Sequence, residues 1–289
     1  MCKDSNKKFS TNVNFCDGAQ SKGLNVRFTK SCDNDCLFCI DKLGAKDLGE
    51  KSTSEMVEST LKSGRKEILI LGGEPMLRLQ RVKDYIVGIR KHVEKIYITT
   101  SLPWNMQQDV ELTSEVMELI DCLNVSLQST DNQENNKALR ASNKYDRIEF
   151  LQTLIQKYPN KIRINLNLIS GFIDTADKLR EALGFLNKIG CTDVKIVEMQ
   201  DATPFYVSFE KIMNVKFPSA YSYGCHQDIS AHFPLKGTKV LLKRSCFVMS
   251  EKVKAKPIDL FKVLLKFFKR VKVENPIVYE NACVYNGWL

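Results

Sequence analysis

The chain is short of several things that would fix its class at once. No apolar run approaches the roughly 20 residues that a membrane-spanning helix needs, and no internal repeat or low-complexity linker is present. The first residues, Met1-Cys2-Lys3-Asp4-Ser5-Asn6-Lys7-Lys8, lack the apolar stretch of a secretory signal. A cytoplasmic location without membrane association is therefore expected. Histidine is scarce, with three in all and none beside the main cysteine group. Basic charge is also scarce over most of the chain. Of the net +9, the segment Lys252 to Lys272 supplies +7 through eight basic residues and one acid, which leaves +2 elsewhere. No aromatic-basic interleaving or base-reading motif accompanies that segment, so nucleic acid is not an expected partner.

Cysteine, by contrast, is plentiful. Ten occur in 289 residues, and in a reducing compartment they argue for metal or redox chemistry rather than disulfides. Three are grouped: Cys32, Cys36 and Cys39, in Lys30-Ser31-Cys32-Asp33-Asn34-Asp35-Cys36-Leu37-Phe38-Cys39. The spacing C-x3-C-x2-C lets one tight loop give three thiolates to a [4Fe-4S] cluster and leaves one iron without a protein ligand. An open iron can bind a substrate or cofactor. The alternative is a non-enzymatic zinc-binding module. Zinc loops reach four ligands with a second C-x2-C pair or with histidines, and neither lies nearby.

The cysteines follow an apolar run, Gly23 to Thr29, and a second apolar run ends in Gly72-Gly73-Glu74-Pro75. This combination resembles the radical S-adenosylmethionine (SAM) superfamily. The resemblance implies that the open iron chelates the amino and carboxylate groups of SAM, and that Gly72, Gly73 and Glu74 receive its methionyl ammonium. Glycines allow close backbone approach to a ligand, and a carboxylate accepts charge-assisted hydrogen bonds from an ammonium.

Along the chain, strand and helix patterns alternate, which predicts parallel βα units. Strands are read at Leu24 to Thr29, Glu67 to Leu71, Lys95 to Thr100, Cys122 to Gln128, Lys161 to Ile169 and Asp193 to Met199. Helices are read at Ser54 to Lys62, Leu79 to His92, Ser114 to Ile120, Tyr145 to Lys157 and Ala176 to Lys188. The expected fold is α/β, a partial (β/α)6 barrel over residues 1–201. Ligands in such folds sit at the carboxyl ends of the strands, where both motifs fall.

The later strands carry polar residues at alternate positions: Ser126 and Gln128, Asn165 and Asn167, Glu198 and Gln200. A helix-covered parallel strand should read as a near-continuous apolar run. Period two places each pair on one face, so a shared polar lumen is expected. These segments also resemble strands four to six of the superfamily branch that rearranges GTP in molybdenum-cofactor synthesis, over roughly residues 20–200. By that resemblance Thr100 and Ser126 contact the methionine or ribose of SAM, Asn165 lies near SAM, and Phe38 packs by the adenine. Gln128 stands where that branch usually has aspartate, and Gly287-Trp288-Leu289 replaces its Gly-Gly tail. Fold and SAM chemistry are therefore carried over, and GTP is not.

Residues 202–289 read as a small α+β unit. Cys225, Cys246 and Cys283 sit in separate elements, with Cys283 in an expected hairpin from Ile277 to Trp288. The family's short auxiliary "twitch" domains hold a second [4Fe-4S] cluster in this way, with His226 a candidate fourth ligand. Cys2, Cys16, Cys122 and Cys191 are expected to be core or surface residues. Leu260, Leu264, Phe267 and Val271 repeat at helical spacing, so the basic segment reads as an amphipathic helix with solvated lysines. Alternatively, that face meets an acidic electron donor such as flavodoxin or ferredoxin. The expected activity is reductive cleavage of SAM and hydrogen abstraction from a polar small molecule, nucleotide or sugar-like. A peptide-modifying maturase is the second reading.

Overall fold

The apolar strand runs and the one-sided helices can be buried together only by laying the helices on the strands. The computed structural model describes residues 23–39, 49–199, 204–216, 226–243, 276–278, 282 and 284–286. Six parallel strands are adjacent in sequence and in space: β1 (Gly23–Arg27), β2 (Glu67–Leu71), β3 (Lys95–Thr100), β4 (Cys122–Leu127), β5 (Ile162–Leu168) and β6 (Asp193–Glu198). Between them run α1 (Thr53–Lys62), α2 (Leu79–Ile89), α3 (Trp104–Gln108), α4 (Val110–Leu119), α5 (Asn132–Leu139), α6 (Arg147–Lys157) and α7 (Ala176–Lys188), and the short α8 (Phe209–Met213) follows β6.

The sheet continues at both margins. Beyond β6 lies β8 (Lys239–Lys243), parallel to it, with β7 (His226–Asp228) antiparallel outside. Beyond β1 lies β9 (Pro276–Val278), parallel, and β10 (Val284–Asn286) closes the expected hairpin antiparallel to β9. Strands from both sides of residue 202 thus join one sheet. Its outermost strands, β10 and β7, do not pair with each other. The architecture is the expected α/β partial barrel, mostly parallel and open.

The short helices α3 and α8 were not read from the sequence, and two longer ones differ from expectation for local reasons. α4 starts at Val110, four residues before the expected Ser114, because the Asp109 carboxylate accepts the Leu112 amide at 3.0 Å and caps it there. α5 was unexpected. Its sequence Asn-Gln-Glu-Asn-Asn-Lys-Ala-Leu has no clean apolar stripe, since Asn135 and Asn136 are buried for hydrogen bonding instead. Asp131 caps it and Arg140 ends it in the left-handed conformation.

The two faces of the sheet have opposite character. Val26, Ile70, Ile98, Val125, Ile164, Ile196 and Leu242 join the helix side chains in one continuous core. On the other face, register sets Ser126 opposite Asn165, Asn165 opposite Lys195, and Lys195 opposite Leu241. Thr99, Asn124 and Arg163 form a parallel row on the same face. The expected polar lumen is thus present on β4 and β5, but β6 differs. Glu198 pairs with Leu168 and so points to the opposite face from Asn167. Its carboxylate accepts the Phe209 amide at 2.9 Å at the start of α8. The residues that β6 presents to the polar face are Asp193, Lys195 and Val197. Gln200 lies outside the described residues.

Candidate functional site

Cys32, Cys36 and Cys39 lie on the loop leaving the carboxyl end of β1. The loop's described part is irregular and bound on two sides. On one, the Asp35 amide donates to the Leu139 carbonyl at 2.9 Å, and the Ser142 hydroxyl donates to the Asp33 carbonyl at 2.8 Å, fixing it to the end of α5. On the other, the Glu74 amide donates to the Ser31 carbonyl at 2.8 Å. Within the loop, Asn34 N–H points at the Cys32 sulfur at 3.4 Å. Although Cys32 reaches the surface, the protein crowded around it pushes its thiol up to about 11, with the Glu74 and Asp33 carboxylates adding and the Asn34 hydrogen bond opposing.

Gly72 and Gly73 both have positive φ, 87° and 49°. A side chain at Gly72 would run into Arg27, and one at Gly73 into the Thr29 and Ser31 carbonyls. What these glycines accommodate, then, is the start of the cysteine loop itself. Glu74 is buried and fully engaged. One carboxylate oxygen accepts the Met76 amide at 3.1 Å and the Thr100 hydroxyl at 2.7 Å, and the other accepts the Ser101 amide and hydroxyl, each at 2.7 Å. Burial raises its proton affinity, and these hydrogen bonds oppose that. The structure thus joins two residues of the resemblance, Glu74 and Thr100, directly to each other.

Phe38 is buried against Ala138 and Ile169 and meets Phe205 edge to face at 6.4 Å. Ser126 and Asn165 lie side by side beyond it on the polar face. Asn165 Oδ1 and Gln128 Oε1 are buried and accept no hydrogen bond among the described residues. Cys225, Cys246 and Cys283 lie outside the described residues, as do Cys2, Cys16 and the segment Lys252 to Lys272. Cys191 is buried, and Cys122 faces Tyr97 across β3 and β4.

Arg147 was missed from the sequence. Fully buried, it donates to the Asn136 side chain, to the Asn143 carbonyl at 3.1 Å and to Asn34 Oδ1 at 3.5 Å, and it stands 3.9 Å from Asp33. A signal existed. A cation in the first turn of α6 opposes the helix dipole and so calls for some other reason to be there.

The sequence model of the Radical SAM superfamily matches residues 26–186, more than half of the chain. The chain belongs to this superfamily. Radical SAM members are enzymes, so the zinc-module alternative falls. The GTP 3',8-cyclase of Lactiplantibacillus plantarum (strain ATCC BAA-793 / NCIMB 8826 / WCFS1) is 26% identical over 171 residues, covering 57% of this chain and 49% of that protein. The chain spans less than half the length of the curated relatives it matches. Among solved structures, Streptococcus suis SuiB aligns with a TM-score of 0.59 at 16% identity, over 91% of this chain and 59% of that one. A radical SAM methyltransferase from Sphaerobacter thermophilus gives 0.54 at 16%, over 74% and 63%. Both similarities concern the fold.

Radical SAM membership implies a [4Fe-4S] cluster with SAM, and the residues present suit it. Such a cluster takes each of its protein thiolates at a separate iron. Cys32, Cys36 and Cys39 on one loop supply three, and the buried acceptors on β4 and β5 stand beyond it.

Proposed function

We propose that this radical SAM enzyme abstracts a hydrogen atom from a small anionic molecule, nucleotide or sugar-phosphate in kind, held against the polar face of the sheet. When bound, the reduced cluster supplies the electron that splits SAM into methionine and a 5'-deoxyadenosyl radical. In this reading Cys32, Cys36 and Cys39 hold the cluster, and Gly72 to Glu74 with Thr100 shape the methionyl site. Phe38 lies by the adenine, and Ser126 and Asn165 meet the ribose or methionine.

The observation that carries the substrate class is the charge on the polar face. Lys195 makes no ion pair or hydrogen bond among the described residues, and burial, with Lys243 and Arg163 nearby, pushes its amine down to about 7. Arg163 lies in the neighbouring row, bonded to Asp193 at 2.7 and 2.9 Å, and Lys243 follows on β8. An anion placed among these cations would relieve their mutual repulsion. The same reading includes a second cluster on Cys225, Cys246 and Cys283 in a twitch-like unit over residues 202–289. It also includes an acidic electron donor docked on the Lys252 to Lys272 segment, and a cytoplasmic setting that keeps thiols reduced.

A screen tests it: 5'-deoxyadenosine formation by the reconstituted enzyme with phosphorylated metabolites, their dephosphorylated counterparts and peptides. Stimulation by phosphorylated compounds, weakened about tenfold or more in affinity by Lys195→Met, is expected. Stimulation by peptides alone would establish a maturase instead.

A further inference from the structure

A single hydrogen-bonded chain runs from α6 through the cluster loop to the GGE loop. Arg147 Nη2 meets Asn34 Oδ1 at 3.5 Å, Asn34 Nδ2 donates to Ser101 Oγ at 2.8 Å, and Ser101 Oγ donates to Glu74 Oε2 at 2.7 Å. Chemistry fixes the direction of each link. A guanidinium only donates, and an ionised carboxylate only accepts. The Asn34 oxygen must therefore face Arg147 and its amide nitrogen Ser101. The Ser101 proton, committed to Glu74, leaves its oxygen free to accept from Asn34. With a cation at one end and a carboxylate at the other, every link is polarised the same way, and such chains strengthen cooperatively.

Backbone geometry at the far end supports the same conclusion. Leu102, buried and directly after Ser101, holds φ at 57°. For a bulky residue this left-handed conformation is strained and persists only where its surroundings dictate it. The dictating bonds are visible: Leu102 N–H donates to Thr100 Oγ1 at 3.0 Å, and Thr100 and Ser101 both bind Glu74. The carboxylate receives four hydrogen bonds in all, as many as its two oxygens ordinarily accept.

We propose that Asn34 and Ser101 are positioning residues that tie the cysteine loop to Glu74, so that the open iron and the methionyl site keep a fixed spacing. Glu74 serves SAM by holding the loops after β2 and β3 in place. The inference rests on the superfamily's cluster-bound SAM and is independent of the substrate proposed above.

The test uses reconstituted full-length protein with four readouts: iron content, melting temperature, SAM affinity by equilibrium dialysis, and the change SAM causes in the electron paramagnetic resonance spectrum of the reduced cluster. Ser101→Ala and Asn34→Ala should each keep full iron and an unchanged SAM-free spectrum. Each should weaken SAM about tenfold, because a buried donor or acceptor is left unpaired, and diminish the SAM-induced change. The double variant should be no worse than either single one, since one break already severs the chain, and Ser101→Thr should restore affinity. Asn34→Asp guards against a folding defect. It keeps the Arg147 contact but sets an acceptor against Ser101, so a stably folded protein with weakened SAM is expected. Wild-type affinity in Asn34→Asp, multiplying losses in the double variant, or loss of iron in step with loss of SAM would overturn the proposal.

Discussion

Asn165 and Lys195 stand opposite each other across the β5–β6 pairing, on the sheet face turned away from the helices. One is a buried amide with an unused acceptor, and the other an amine with its proton affinity lowered to about 7. Such a pair is costly to keep in an empty core, and sensible where a polar ligand enters.

That cost can be measured. The Lys195 amine binds its proton more weakly in the folded protein than in the unfolded chain, whose lysines titrate near 10.4. The unfolded state therefore holds more protons between about pH 7 and 10, and stability rises with pH across that window. Below it, the burden is present in full. Lys195→Met should raise stability by roughly 2–4 kcal/mol near pH 6 at about 1.4 kcal/mol per tenfold change in proton affinity, with the gain shrinking towards pH 10. Melting curves at several pH values decide the matter, and a pH-independent gain would remove the charge explanation.

Gly73→Ala should disturb the cluster loop rather than the fold at large. The added methyl meets the Thr29 and Ser31 carbonyls, and φ is 49°. A loss of about 1–3 kcal/mol is expected for forced left-handed backbone, with reduced iron retention after reconstitution. Gly171→Ala has the same sign of φ but nothing near its Cβ, so its iron content should match the wild type.

Replacing Cys225, Cys246 and Cys283 together by alanine should remove about half of the iron, if each cluster binds through three cysteines. The spectrum of the SAM-binding cluster should remain. Unchanged iron would show that the second cluster does not exist.

Charge reversal at Lys262, Lys266, Lys269 and Arg270 should slow turnover with a flavodoxin and spare turnover with a small chemical reductant, and added salt should mimic the change. Equal loss with both reductants would mean that the segment is structural.

The sequence disclosed the fold well because its evidence is local. Strands such as Glu67–Leu71 and Lys95–Thr100 are apolar runs bounded by turn residues, and their limits are as expected. α7 likewise carries a one-sided apolar stripe and a Thr175 cap. α5 was hidden because its buried face is amide rather than hydrocarbon. The cysteine and GGE motifs were legible because each is contiguous. The links from Arg147 to Asn34 and from Asn34 to Ser101 were not, since they join residues 113 and 67 positions apart. Period two grouped Glu198 with the lumen residues of its neighbours, yet only register says which phase of the alternation faces in, and that choice belongs to the β5–β6 ladder.

The most direct measurement needs no substrate. Reconstituted anaerobically and reduced in the presence of SAM, the protein should release 5'-deoxyadenosine and methionine, slowly but catalytically. Alanine at any one of Cys32, Cys36 or Cys39 should abolish this, because two thiolates cannot hold the cluster with one iron open. Formation of S-adenosylhomocysteine without 5'-deoxyadenosine, with or without candidate substrates, would contradict the account.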